Sequence, residues 1–95
     1  MNQYEGIFIF KPDLEEKALE EEYSKLEDVI KKHEARIEKS EKWGKKKLAY
    51  GIKKYRDGFF LYLIFETMPQ SIKSLSETFK LNNNILRAQI MRKEK

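Results

Sequence analysis

Residues 59 to 65 read Phe-Phe-Leu-Tyr-Leu-Ile-Phe, and this run limits the possible folds more than any other stretch of the chain. It is far shorter than the roughly 20 apolar residues a membrane helix needs. Its aromatic and branched side chains suit a strand. Alternation sends Leu61, Leu63 and Phe65 to one side and Phe60, Tyr62 and Ile64 to the other. Such a strand is apolar on both faces, so both faces call for cover.

The flanking segments supply its partners. Residues 4 to 10, YEGIFIF, form a second strand that Pro12 ends. Its two alternating sets, Gly6/Phe8/Phe10 and Ile7/Ile9, are apolar or small, which again predicts a central strand. Asp13, with Glu16 three residues on, is the predicted helix cap. Leu19, Tyr23, Leu26 and Ile30 recur at steps of four and three, predicting an amphipathic helix over 14–33. Acidic residues in its first half and Lys31-Lys32-His33 at its end suit the helix dipole.

Residues 35 to 43 read as extended, with Ile37 and Trp43 on one face. Leu48, Tyr50 and Ile52 alternate in the opposite parity, so a residue is inserted between, and Gly44 is the natural place for a bulge. The Asp57-Gly58 pair predicts the turn of a hairpin, followed by a strand over 59–66. Pro69 opens a second helix, 69–80, marked by Ile72, Leu75 and Phe79. Asn82-Asn83-Asn84 reads as a turn, and residues 85 to 91 as the last strand.

The order β-α-β-β-α-β predicts an α+β fold: a four-stranded antiparallel sheet with two helices on one face. The length suits one domain over residues 1–95. Two helices cover one face, so Phe60, Tyr62 and Ile64, with Ile7 and Ile9, are left on the other. They are the candidate protein-partner contacts, because an open apolar patch of that kind marks an interaction site. The bland alternative is that lysine stems and a loop cover it.

Catalytic constellations are missing. The chain has no cysteine and one histidine, His33, placed at a helix end where a capping role fits better than a base. No glycine-rich phosphate loop and no metal-ligand spacing is present. Lys11-Pro12-Asp13 has no glycine nest, which argues against acyl-phosphate hydrolysis on this architecture. The expectation is a non-enzymatic protein with no catalytic residues, metal, cofactor, small-molecule substrate or membrane partner. The absence of cysteine and of a basic, apolar leader fits the cytoplasm.

Charge is sorted along the chain. Acidic side chains crowd residues 13 to 28, and residues 42 to 56 carry basic but no acidic ones before Asp57. The basic set is Lys42, Lys45, Lys46, Lys47, Lys53, Lys54 and Arg56, then Arg87, Arg92, Lys93 and Lys95, with Trp43, Tyr50 and Tyr55 interleaved. Basic residues among aromatics suit RNA, which is recognised by phosphate contact and stacking. A solvated basic surface is the competing explanation. The candidate RNA contacts are Lys45, Lys46, Lys47, Lys53, Lys54, Arg56, Lys80, Asn82, Asn84, Arg87 and Arg92; the three-asparagine turn has a purely structural alternative.

Several motifs together carry a resemblance. They are Tyr4-Glu5, Pro12-x-Leu14, Ala35-Arg36-Ile37-Glu38, Gly44-x-Lys46-Lys47-Leu48-Ala49-Tyr50, Gly58-x-Phe60 and Asn84-Ile85-Leu86-Arg87. In this order and spacing the chain resembles the bacterial small-subunit ribosomal protein six family over essentially its whole length. The resemblance implies a ferredoxin-like fold and binding to the central domain of small-subunit ribosomal RNA beside ribosomal protein eighteen. It departs at Gly51, where the family commonly has proline, and at Lys46-Lys47, where arginines are common. The other readings are a homodimeric ferredoxin-like regulatory module and, more remotely, an acyl-phosphate hydrolase.

Overall fold

The chain folds as β1 (Asn2–Phe10), α1 (Glu16–Lys32), β2 (Arg36–Ile52), β3 (Tyr55–Thr67), α2 (Pro69–Lys80) and β4 (Ile85–Arg92). The structure is a computed structural model that describes residues 1–93, so Lys95 lies outside the described residues. The strands form one sheet in the order β2-β3-β1-β4. Every neighbouring pair is antiparallel, which is the predicted ferredoxin-like arrangement with β1 and β3 in the centre.

β1 and β3 pair without a break from Asn2↔Thr67 to Phe10↔Phe59. That register puts Tyr4, Phe8 and Phe10 beside Leu61, Leu63 and Phe65 on one face. Leu19, Tyr23, Leu26 and Ile30 of α1, with Leu75 and Phe79 of α2, close over them as one buried core. Phe8 meets Phe79 edge-on at 5.1 Å, and Phe10 meets Tyr23 at 5.3 Å. Such aromatic pairs contribute about 0.5–1.5 kcal/mol each beyond their burial.

Three local expectations change. α1 starts at Glu16, and its N-cap is Glu15 without a side-chain cap bond, so Asp13 is not the cap. Pro12 and Asp13 make a turn instead, which lets Leu14 pack on the core before the helix begins. The hairpin reversal is Lys53-Lys54, with Ile52 paired to Tyr55 and Lys53 at φ 58°, and not Asp57-Gly58. Gly58 is inside β3 for another reason: a Cβ there would lie 2.6 Å from Ile9 Cγ2 and 2.8 Å from the Phe10 carbonyl oxygen. Close approach of β1, and not a turn, requires the glycine.

The third change concerns β2. Its register with β3 does shift between Lys42 and Gly44, and Gly44 has φ 82°, as a glycine bulge should. A second shift falls between Ile37 and Lys39. With both shifts, Ile37 lies opposite Phe65 and packs on the core, whereas Trp43 stacks on Tyr62. The two side chains therefore sit on opposite faces, not one. Residues 48 to 51 then arch out of the ladder between Lys47↔Asp57 and Ile52↔Tyr55.

The two glycines separate strain from crowding. Nothing lies within 4 Å of a Cβ built on Gly44, so Gly44→Val should cost only the left-handed backbone, about 1–3 kcal/mol. Gly58→Ala should cost at least as much by pushing β1 away. Urea midpoints of both variants measure this, and an unchanged midpoint for Gly44→Val would remove backbone strain as the reason for that residue.

Candidate RNA and protein interfaces

The pairing registers bring the end of β1, the end of β2 and the starts of β3 and β4 together at one end of the sheet. Lys46 lies opposite Gly58, and Phe10 lies between Phe59 and Ile85. Lys45, Lys46, Lys47, Lys53, Lys54, Arg56 and Arg87 are thereby gathered at that end. An open cavity of about 700 Å³ at the hairpin tip is lined by Lys47, Lys53, Lys54 and Arg56, with Tyr50 and Tyr55. A second concavity joins Lys53, Lys54 and Tyr55 to Lys11 and Asn83. Sequence reasoning missed Lys11 and Asn83 as members, because only the register brings the end of β1 and the α2–β4 turn to the hairpin.

The basic residues do not form one patch. The Lys45 ammonium lies 5.2 Å from the centre of the Phe59 ring, and Phe59 packs on the core side. The Lys46 ammonium lies 5.0 Å from the Trp43 ring, on the other face. Arg92 pairs opposite Tyr4, at the far end of β4 from Arg87, so the fold does not bring it to the others. Lys80 ends α2, in the helix layer, and is exposed.

Asn82 and Asn84 are engaged elsewhere. Asn82 Nδ2 donates to Glu22 Oε1 at 2.7 Å, and Asn84 Nδ2 donates to Glu22 Oε2 at 3.1 Å. The Asn84 backbone N–H donates to Asn82 Oδ1 at 2.9 Å. One carboxylate on α1 thus ties down the loop that starts β4 by two charge-assisted bonds. These bonds give both asparagine side chains a structural role in the turn. Glu22 is one of several glutamates on α1, and only the long-range contact distinguishes it. His33 acts as the C-cap of α1, with Nδ1 2.9 Å from the Val29 carbonyl and Nε2 3.2 Å from Ser74 Oγ.

The open face is the one alternation indicated. Leu61, Leu63 and Phe65 are fully buried under the helices, while Ile7, Phe60 and Tyr62 are half-buried. Ile9 and Ile64 differ from their neighbours: at 6% and 8% exposure they are already closed in by their own chain. The arch of β2 helps, since Leu48 and Ile52 line a groove of about 270 Å³ with Ile7, Ile9, Phe60 and Arg87. Trp43 stacks on Tyr62 with centroids 4.9 Å apart and planes 11° from parallel. Further along, Arg36 pairs with Glu66 at 3.4 Å and with Glu38, which also accepts from Gln3.

The Tyr62 hydroxyl donates to Glu5 Oε2 at 2.6 Å. This bond first, then burial and the nearby charges of Glu5 and Glu41, pushes the phenol up to about 12. The phenol stays protonated in the folded state after it ionises in the unfolded one. Its contribution to stability is therefore full below pH 10 and is lost as pH rises toward 12. Stability measured by urea between these values should fall more steeply for the native chain than for Tyr62→Phe. Parallel curves would mean the Glu5 bond does not form in solution.

The likeness to known proteins runs along the whole chain. A family model described as Ribosomal protein S6 matches residues 3–92. The small ribosomal subunit protein bS6 of Clostridium kluyveri is 36% identical over 95 residues, covering 100% of both chains. That of Heliobacterium modesticaldum is 30% identical over 94 residues, 99% of this chain and 98% of its own. The crystal structure of 30S ribosomal protein S6 from Thermotoga maritima superposes with a TM-score of 0.92 at 28% identity, covering 97% of this chain and 87% of that one. Proteins of this kind are structural parts of the small ribosomal subunit, a cytoplasmic particle, and not enzymes. The chain with the basic sheet end and the half-open apolar face belongs to the bacterial ribosomal protein S6 family.

Proposed function

We propose that the 95-residue chain works as a single RNA-binding domain. It assembles on the central domain of small-subunit ribosomal RNA, with ribosomal protein eighteen seated on its open sheet face. One observation carries the reading. The groove on that face is lined by Ile7 and Phe60 together with Lys47 and Arg87, so an apolar surface and two cations adjoin on one sheet. Lys53, Lys54 and Arg56 extend the cationic surface to the hairpin tip, and Lys11 adds to it. Lysine and arginine there supply the salt-dependent, sequence-independent part of RNA affinity.

Arg87 has a planar fork that suits a phosphate, and its position beside the groove gives it a larger role than the lysines of α1. Arg87→Ala should weaken RNA binding in the presence of ribosomal protein eighteen more than Lys25→Ala, at fixed salt. Equal affinities would remove Arg87 from the interface. Replacing Lys47, Lys53 or Lys54 should lower the slope of log affinity against log salt by up to about one unit each where the ammonium touches phosphate. An unchanged slope returns that lysine to the solvated surface.

Tyr62→Lys tests the protein contact. The side chain is outside the helix-covered core, so the variant should fold. It should still assemble poorly with ribosomal protein eighteen, because a charge would be desolvated at the contact. Normal assembly of the folded variant would show that the half-open face is plain surface.

A further inference from the structure

Trp43 was not among the residues that alternation assigned to the open face, yet it stacks on an aromatic ring there. Tyr62 lies against one face of its indole, 4.9 Å away and nearly parallel. Tyr62 is itself pinned by the 2.6 Å bond from its hydroxyl to Glu5. The indole remains 38% exposed, and the cation that approaches it is the chain's own Lys46, 5.0 Å from the ring centre.

Besides the Lys46 ammonium, two carboxylates border this pair. Glu5 and Glu41 both act on the Tyr62 hydroxyl. Glu41 lies opposite Tyr62 in the ladder and makes an exposed 3.9 Å contact to Lys39. An electron-rich ring flanked by carboxylates attracts a cation and repels a phosphate. A guanidinium fits best, since it is planar, stacks on indole and gives up its hydration more easily than ammonium. An unpaired nucleobase also stacks on aromatics, but it would bring its phosphate close to Glu5 and Glu41.

We propose that Trp43, stacked on Tyr62 and bordered by Glu5 and Glu41, is a cation-accepting subsite of the open face. It receives an arginine side chain of the protein that covers this face, and Lys46 occupies it until then. The subsite rests on the reading of the open face as a protein contact and names the chemistry of that contact. It also gives Lys46 two roles: a placeholder on the indole in the free chain, and a cation released toward the basic end once an arginine displaces it.

The chain contains one tryptophan, so its emission reports on this site alone. Titrating ribosomal protein eighteen into the native chain should change Trp43 emission saturably. Trp43→Ala should weaken assembly about tenfold. Lys46→Ala should tighten it about twofold to threefold, and this gain should vanish when Trp43 is also alanine. A hexa-arginine peptide should quench the emission saturably, less so for Glu41→Gln, whereas a single-stranded uridine hexamer should not. If ribosomal protein eighteen fails to assemble but the arginine peptide quenches, the docking partner is wrong and the subsite stands. If it assembles while the emission and the Trp43→Ala affinity stay unchanged, the docking stands and the subsite is overturned. Saturable quenching by the uridine hexamer and not by the peptide would make the pair a nucleobase platform, which also overturns it.

Discussion

The unbroken pairing of β1 with β3 is the constraint on which the other features depend. From Asn2↔Thr67 to Phe10↔Phe59 no residue is skipped, so every side chain of both central strands has a fixed face. One face receives Phe8, Phe10, Leu61, Leu63 and Phe65 and is sealed by α1 and α2. The other receives Ile7, Ile9, Phe60, Tyr62 and Ile64, and no helix is left to cover it. Slipping the register by one residue would exchange the two sets, placing phenylalanines in water. Burying one large apolar side chain stabilises by roughly 1.5–3 kcal/mol, so the slipped form is strongly disfavoured.

The edge strand β2 answers the uncovered face in part. A regular strand opposite β3 would keep one periodicity throughout, but the shifts at Ile37/Lys39 and Lys42/Gly44 re-aim its side chains. The first leaves Ile37 packed against the core and turns Lys39 and Glu41 outward. The second lays Trp43 on Tyr62 and sets Lys46 over Trp43. The arch at residues 48 to 51 then brings Leu48 and Ile52 to the rim beside Ile7 and Phe60. Ile9 and Ile64 end up nearly buried, while Ile7, Phe60, Tyr62 and Trp43 keep surface that a partner can use.

Element order was legible because its signals are local. Period-two alternation marked the strands and steps of three and four marked the helices, and α2 has the boundaries that Pro69 and Phe79 suggested. The division of β1 and β3 into two faces was equally plain, as alternation alone decides it. Motif resemblance gave the family. What escaped was settled by distant residues. Asp57-Gly58 has turn chemistry, but the glycine is there because Ile9 and the Phe10 carbonyl approach it. Trp43 changed face because of a shift at Ile37 that no glycine announces. Asn82 and Asn84 looked available until Glu22, far away in sequence, proved to hold both amides. The candidate site was legible as a list of cations but not as a shape.

That shape matters more than the net charge of +4. At physiological salt, exposed charges more than about 8 Å apart are largely screened from one another. A phosphate or a guanidinium therefore responds to the few groups beside it. At the hairpin tip those groups are Lys47, Lys53, Lys54 and Arg56, and at the middle of the open face they are Glu5 and Glu41 around an aromatic pair. Cations and carboxylates are thus presented on different parts of this small domain. The lysines at 45 and 46 show how finely the division is made: adjacent in sequence, they lie over rings on opposite faces of β2, and only one of them reaches the open face.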